Sequence, residues 1–434
     1  MTKKGLVYFQ NAPIGEIEQT TEKSYQFRYD PQSQNAVSWT LPRKEAMHKS
    51  EELFPFFDGL IPEGWLLNLV SKNWKISPND RMDLLLTACQ DCVGAVHVQS
   101  QKLVKQNSAA SLKKPTSTYQ TNRCLICTEP LKMDEIPAHA RCSRKLFGVA
   151  EMPFVDVRLA NLEKLALLQV NQRMALTGVQ KKLSLTPIME NEKKGRLTVA
   201  GLDGRFILKP PTSEYPEMPE IEHTSMRLAE LQGLRMAECG LISLASGELA
   251  YVTKRFDRSD SGKIQMEDFC QLSRKPTEKK YVGSSESLGK VIDEFSGQAA
   301  DDKLTLFQVI LFSFWIGNTD MHLKNFSLWR DPDSQSIRTT PGYDFLSTRL
   351  LISKKEDPEE LALSVNGRKN KLKWSDFLSF GGSLKISQKV QLNVRDRLLD
   401  SRSESEKLIE TSFLSADKQE EFVKLLRQHS KRLT

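Results

Sequence analysis

Two carboxylates and an amide stand at a spacing that phosphoryl transfer can use, in Gly317-Asn-Thr-Asp-Met-His-Leu-Lys-Asn325 and, beyond it, Tyr343-Asp344. One acid, Asp320, can orient an attacking hydroxyl while Asn325 and Asp344 hold Mg²⁺ on the phosphates of ATP. Two protein ligands suffice for this ion, which keeps waters and substrate phosphates as its other oxygens. By spacing alone, Asp-x₄-Asn reads equally as an Asx-rich loop that satisfies its own backbone. The surrounding elements have to decide.

The apolar run Leu304-Thr-Leu-Phe-Gln-Val-Ile-Leu-Phe-Ser-Phe-Trp-Ile316 just upstream reads as a buried helix that fixes this loop. Further upstream, Leu197-Thr-Val and Phe206-Ile-Leu-Lys209 read as strands, Glu220–Gly233 as a helix and Leu249–Phe256 as a strand. Lys209, near a strand end, could reach the α- and β-phosphates, and Glu222 in the next helix could hold that lysine by an ion pair. Taken singly, a snorkelling lysine and a solvated helix face explain these two as well. In order with Asp320, Asn325 and Asp344, they favour a nucleotide site. Thr177-Gly-Val-Gln-Lys-Lys182 is a turn that could aim the Gly178 region's backbone N–H groups at phosphate, or a plain turn.

The chain has 434 residues, enough for two or three domains, with 39% apolar and 27% charged residues and a net charge of +7. No basic block argues for direct nucleic-acid binding, and no apolar stretch is long enough for a membrane span. The N-terminus lacks the apolar core of a signal peptide, so a cytoplasmic location is the default expectation. Seven cysteines, an odd number, fit a reducing compartment. Cys124-x₂-Cys127 and His139-x₂-Cys142 supply three thiolates and one imidazole, the closed tetrahedral set of a structural zinc site, with free thiols in a surface insert as the alternative. Cys89 and Cys92 stand in an apolar setting and read as buried small hydrophobes, as do Cys239 and Cys270.

Residues 5–40 read as hairpins, and Phe54–Val70 as the start of a helix with Pro62 near its first turn. Beyond 260, long amphipathic segments at 285–297, 303–316, 374–381 and 402–431 dominate. The expected class is therefore α+β, a two-lobed kinase-like domain with added parts. Its expected boundaries are an N-terminal α/β accessory domain over 1–105, a linker over 106–121, a zinc knuckle over 122–148, a kinase N-lobe over 149–260 and a helical C-lobe over 261–434.

The chain resembles the HipA-type serine/threonine kinases of bacterial toxin–antitoxin systems. The resemblance rests on Leu60-Ile-Pro-Glu-Gly-Trp65, Asp91-Cys-Val-Gly-Ala-Val96, Gly178-Val-Gln-Lys-Lys-Leu183, Ile207-Leu-Lys-Pro210, Lys254-Arg-Phe-Asp-Arg258 and Glu267-Asp-Phe-Cys-Gln271, together with the Asp320 and Asp344 motifs. It is nearest to the HipT-like branch, where the N-terminal region can be a separate small protein. The resemblance implies a fold related to phosphatidylinositol 3/4-kinases, with Asp320 catalytic, Asn325 and Asp344 on Mg²⁺, and Lys209 on ATP. It places Lys254 and Phe256 at the adenine-contacting hinge, where contacts are largely backbone. His322 matches the histidine of the lipid-kinase Asp-x-His-x-x-Asn loop, which positions the loop or touches the γ-phosphate.

Family members carry serines just before the loop glycine, and phosphorylation there disables the kinase; here the segment is Ala175-Leu-Thr177. Either Thr177 alone carries that switch, or the switch was lost, or Ala175 is itself an inactivating change. The resemblance further implies an aminoacyl-tRNA synthetase as substrate, a helix-turn-helix antitoxin as partner, operator DNA reached through that antitoxin, and no membrane. A phosphoinositide-type lipid kinase and an inactive kinase fold serving as a binding module are the rival readings.

Overall fold

The computed structural model describes residues 2–100, 119, 121–132, 137–191, 193–199 and 204–434. The expected linker over 106–121 lies outside the described residues apart from Tyr119 and Thr121, and so do residues 133–136 of the expected knuckle.

Alternating apolar and polar residues build an antiparallel five-stranded sheet from the first hundred residues. Its spatial order is Met47–Ser50, Tyr25–Tyr29, Ala12–Gln19, Lys3–Phe9, Val96–Ser100. Val7, Ile14, Ile17, Phe27 and Tyr29 are buried on it. The helix expected from Phe54 is in fact two, Pro55–Asp58 and Gly64–Trp74. Pro62 lies between them, Glu63 is extended and Gly64 takes φ +52°, a left-handed turn that breaks the helix expected across it.

A six-stranded sheet follows, ordered Cys239–Ser243, Leu249–Lys254, Phe206–Lys209, Leu183–Met189, Gly195–Val199, Phe154–Val155. Helix Met218–Leu231 packs on its Leu249–Lys254 strand. Val7, Phe27, Phe57 and Leu85 of the N-terminal region share one continuous apolar core with Leu183, Leu208 and Val252 of this sheet and with Leu165 of the helix Leu162–Asn171. A second core is helical. It is centred on Ala299–Ile316, whose Phe307, Phe312, Phe314 and Trp315 are fully buried, and includes Phe377, Phe380 and Phe422 from later helices. A helix apolar on every side belongs in such a core. The segment expected to be helical over 402–431 divides into Arg402–Glu410 and Ala416–Leu433. A three-stranded sheet, Met266–Asp268, Ser327–Arg330 and Ile337–Thr339, joins the two parts. Among the described residues no helix is long and apolar enough to cross a membrane.

Candidate active site

Between the sheet and the helical part lies a solvent-open cleft with about 1000 Å³ of empty space, bordered by Lys209, Asp344, Asn325, His322, Gly178 and Phe256. Thr177 and Lys254 border it as well. Lys209 ends its strand with Nζ 2.5 Å from Glu222 Oε1 and 2.5 Å from Asp344 Oδ1, so residues far apart in the chain meet on one ammonium. Burial works against that charge, but the two carboxylates outweigh it and hold the lysine firmly protonated. Glu222 lies wholly buried behind Lys209, and burial raises its carboxyl to about 7 despite the lysine. Asp344 responds in the opposite direction: burial would raise it, yet Lys209 and Lys182 pull it down to about 2. Its side chain is 36% exposed, so its second oxygen faces the cleft side. Asp344 also holds φ +57°, a left-handed conformation that a non-glycine residue keeps only where its surroundings fix it.

The loop after Ala299–Ile316 is set by its own hydrogen bonds. Gly317 caps the helix at φ +70°, where a Cβ would press on Arg349 and Leu425. The Asp320 carbonyl accepts from the His322 N–H at 2.8 Å and from Asn325 Nδ2 at 2.9 Å. With its amide nitrogen so engaged, Asn325 is left presenting its oxygen, the atom a hard cation needs. Asp320 itself sits beside the cleft rather than in its wall, and one carboxylate oxygen accepts a 2.6 Å hydrogen bond from the Tyr281 hydroxyl. His322 is buried, and burial lowers its pKa, so the ring is neutral.

Gly178 takes φ +95°, and a Cβ there would lie 2.6 Å from Lys182 Nζ. Its N–H does point inward, but it donates to Glu63 Oε1 at 3.2 Å. Lys254 is exposed and pairs with Glu238 at 3.2 Å instead of entering the cleft. At Phe256 the backbone N–H carries no partner among the described residues, as a donor to adenine requires, whereas the N–H groups of Lys254 and Arg255 are taken by Glu238 and Arg205 carbonyls.

Several cleft residues escaped the sequence reading. Lys182 borders the cleft and donates to the Thr177 carbonyl at 2.6 Å. Glu63, buried, pairs with Lys280 at 2.7 Å and Lys324 at 3.5 Å; those two lysines overcome its burial and keep it near 2. Glu63, Lys182 and Lys324 all stand inside motifs quoted above, but their partners lie too far along the chain for spacing to reveal them. Tyr281 had no sequence signal at all.

The Cys124, Cys127, His139 and Cys142 donor atoms lie within 4.8 Å of one another. His139 turns Nδ1 toward the Cys127 and Cys142 sulfurs, at 3.3 and 3.8 Å, and sets Nε2 3.0 Å from the Pro130 carbonyl. A ring with one nitrogen toward a metal and the other tied to a carbonyl is the usual arrangement of a histidine ligand. The Cys127 thiol and backbone N–H groups lower the pKa of Cys124, the first thiolate of the set, while the contact with Cys124 raises Cys127 and burial raises Cys142. This cluster packs on the helix that carries Glu222: buried His223, held neutral by burial, meets the Ile126 carbonyl at 3.0 Å through Nε2.

Residues 5–99 match the family described as HipA N-terminal domain, and residues 174–406 the HipA-like C-terminal domain. The chain is 28% identical over 354 residues to the Sinorhizobium fredii protein named "Putative kinase Y4dM", covering 78% of this chain and 73% of that one. It is 25% identical over 214 residues to the serine/threonine-protein kinase toxin HipA of Shewanella oneidensis, 45% of this chain and 47% of the relative. The solved complex of Shewanella oneidensis HipA with HipB and operator DNA contains a chain with the same mixed α/β kinase-like fold. Its TM-score is 0.68 at 18% identity, covering 99% of this chain and 96% of that one.

Proposed function

The chain belongs to the HipA-like kinase family, and on that premise we propose that it transfers the γ-phosphoryl group of ATP to a serine or threonine of another protein. The observation that carries this reading is Lys209, held between Glu222 and Asp344 at the floor of the cleft beside Asn325. An ion-paired lysine of this kind is what kinases set against the α- and β-phosphates. Asn325 and Asp344 would hold Mg²⁺, which neutralises charge on the phosphates when bound. Phe256 offers its free N–H to adenine, and the Gly178 turn can offer its own N–H to phosphate once Glu63 releases it. Asp320 takes the proton of the substrate hydroxyl as that oxygen bonds to the γ-phosphorus and the bond to the β-phosphate oxygen breaks, freeing ADP. Thr177, on the cleft wall, is the hydroxyl available for self-modification there. Cys124, Cys127, His139 and Cys142 would hold a structural zinc.

The relatives support a wider reading. The Shewanella protein is named as a toxin and was solved with HipB and operator DNA. By that likeness this chain is a toxin restrained by an antitoxin and meeting operator DNA through it; the motif resemblance extends the proposal to growth arrest, a helix-turn-helix antitoxin and an aminoacyl-tRNA synthetase as the substrate. Its kinase domain would share the ancestry of phosphatidylinositol 3/4-kinases, which the Asp-x-His-x-x-Asn order in Asp320–Asn325 supports. The test is incubation with labelled ATP and purified synthetases. Label should appear on serine or threonine, and Asp320→Ala should lower its rate by about 100- to 10,000-fold, the usual worth of a general base. Undiminished transfer by Asp320→Ala removes that residue from its role.

A further inference from the structure

We propose that Tyr281 is a positioning residue for the acceptor side of this site: its hydroxyl fixes one oxygen of the Asp320 carboxylate so that the other meets the incoming substrate hydroxyl. The proposal rests on Asp320 being the base, and it adds a residue that no motif marks. The contact is direct, Tyr281 Oη donating to Asp320 Oδ1 at 2.6 Å. Asp320 Oδ2 has no protein partner among the described residues, which leaves one oxygen held and one available.

The tyrosine is itself pinned from several sides. Its ring stands edge-on to that of His322, with centroids 4.9 Å apart at 80°. The preceding Lys280 accepts the Leu323 N–H through its carbonyl at 3.1 Å and sends its ammonium to Glu63 at 2.7 Å. Three residues earlier in that turn, the Thr277 N–H donates to Asp58 Oδ2 at 2.8 Å. The turn that carries Tyr281 is thus fastened to the catalytic loop by backbone and to the N-terminal region by two carboxylates. Burial and the Asp320 charge both raise the phenol's pKa, so it stays protonated and remains a donor.

The terminal torsion of an aspartate is broad and nearly two-fold, so an untethered carboxylate would sample many orientations. Proton transfer needs the base within hydrogen-bond reach of the hydroxyl. A donor on one oxygen narrows that distribution before substrate arrives, which is pre-organisation in the ordinary sense. The tyrosine is 43% exposed, so a protein acceptor can approach along the ring without unfolding anything.

Tyr281→Phe tests this because it keeps the ring against His322 and removes only the hydroxyl. ADP release would be measured for the full chain with host soluble proteins as phosphate acceptors, beside wild type and Asp320→Ala. The expected result is a kcat about 10- to 100-fold lower, part of the worth of the base itself, with KM for ATP and the thermal midpoint unchanged. A residue that merely shaped the cleft would move KM instead. Wild-type rates in Tyr281→Phe alongside a dead Asp320→Ala overturn this proposal and leave the kinase reading intact. A faster Tyr281→Phe would make the tyrosine an obstruction, and phosphate found on Tyr281 by mass spectrometry would make it an acceptor; either overturns it. Full activity in Asp320→Ala removes the base on which this proposal rests while leaving phosphoryl transfer standing, and no ATP turnover by wild type brings down both readings together.

Discussion

Two clusters of buried charge, one on the floor of the cleft and one behind the hinge, both set acids against bases and end differently. In the first, Lys209 joins Glu222 and Asp344, and Asp344 keeps 36% of its side chain exposed. In the second, Asp257 takes Arg255 and Arg258 at 2.8 and 2.6 Å, and Arg258 reaches Asp91 of the N-terminal region at 2.9 Å. None of those four side chains exceeds 6% exposure. Asp257 also accepts the Gly94 N–H at 2.9 Å, so its oxygens are used up. The lesson is that shifted pKa values and close ion pairs do not by themselves mark a site. Asp257 and Asp344 both border the cleft, and what separates them is that Asp257 has both oxygens taken whereas Asp344 Oδ2 has no protein partner among the described residues.

The largest effect should come from the open cluster. Lys209→Met should reduce phosphoryl transfer by about 100- to 1000-fold, the cost of removing one charge-stabilising donor from a transition state. Stability should barely move at or below neutral pH. Removing the lysine leaves Glu222 buried without its cation, so burial raises its pKa further and the orphaned acid takes up a proton in place of the ammonium. Calorimetry and turnover measured on one preparation would show the split. A collapse in thermal midpoint would make this cluster scaffolding like the other.

Much of this contrast was visible in the sequence, and the limits have a physical cause. Lys209, Glu222, Asn325 and Asp344 could be named because each sits at a fixed place on a strand end, a helix or a loop, and chain order alone suggested that they converge. The helix before Asp320 announced itself by a mostly apolar run, broken only by Thr305, Gln308 and Ser313, that ends at Ile316 just before Gly317. Lys254 was chosen with Phe256 for its hinge position, but its side chain turns to Glu238 and solvent. The pairing of Glu63 with Lys280 spans 217 residues and that of Arg258 with Asp91 spans 167. No local period encodes contacts of that length. The amphipathic segment over 402–431 hides its division into two helices for the opposite reason: amphipathic spacing survives a short break, and the turn at Thr411–Ser415 interrupts it without altering the pattern.

The closed cluster should fail in the other currency, that of stability. Asp257→Asn keeps the shape and removes the charge that faces Arg255 and Arg258. Breaking a buried pair on one side costs about 3–5 kcal/mol, because the remaining charge stays buried without compensation. The loss should appear as a lower midpoint in denaturant, while molecules still folded turn over ATP at near wild-type kcat. Phe256 lies between Arg255 and Asp257, so a rise in KM for ATP is the catalytic trace to expect. A stable Asp257→Asn protein with a large loss of kcat would erase the distinction between the clusters.

The cysteine and histidine cluster is a third arrangement, closed around a metal instead of an ion pair, and it should give the smallest effect on turnover. Elemental analysis should find one zinc per chain, as three thiolates and one imidazole require. Cys127→Ser should lose that zinc. Because the cluster meets the Glu222 helix only through contacts such as His223 to the Ile126 carbonyl, its loss loosens the helix without touching Lys209. Turnover should therefore fall by about 10-fold at most, well short of the loss that follows removal of a donor at the transition state. A loss as large as that of Lys209→Met would mean that the metal holds the whole upper sheet in place. Normal zinc content in Cys127→Ser would mean that the four side chains gather for another reason.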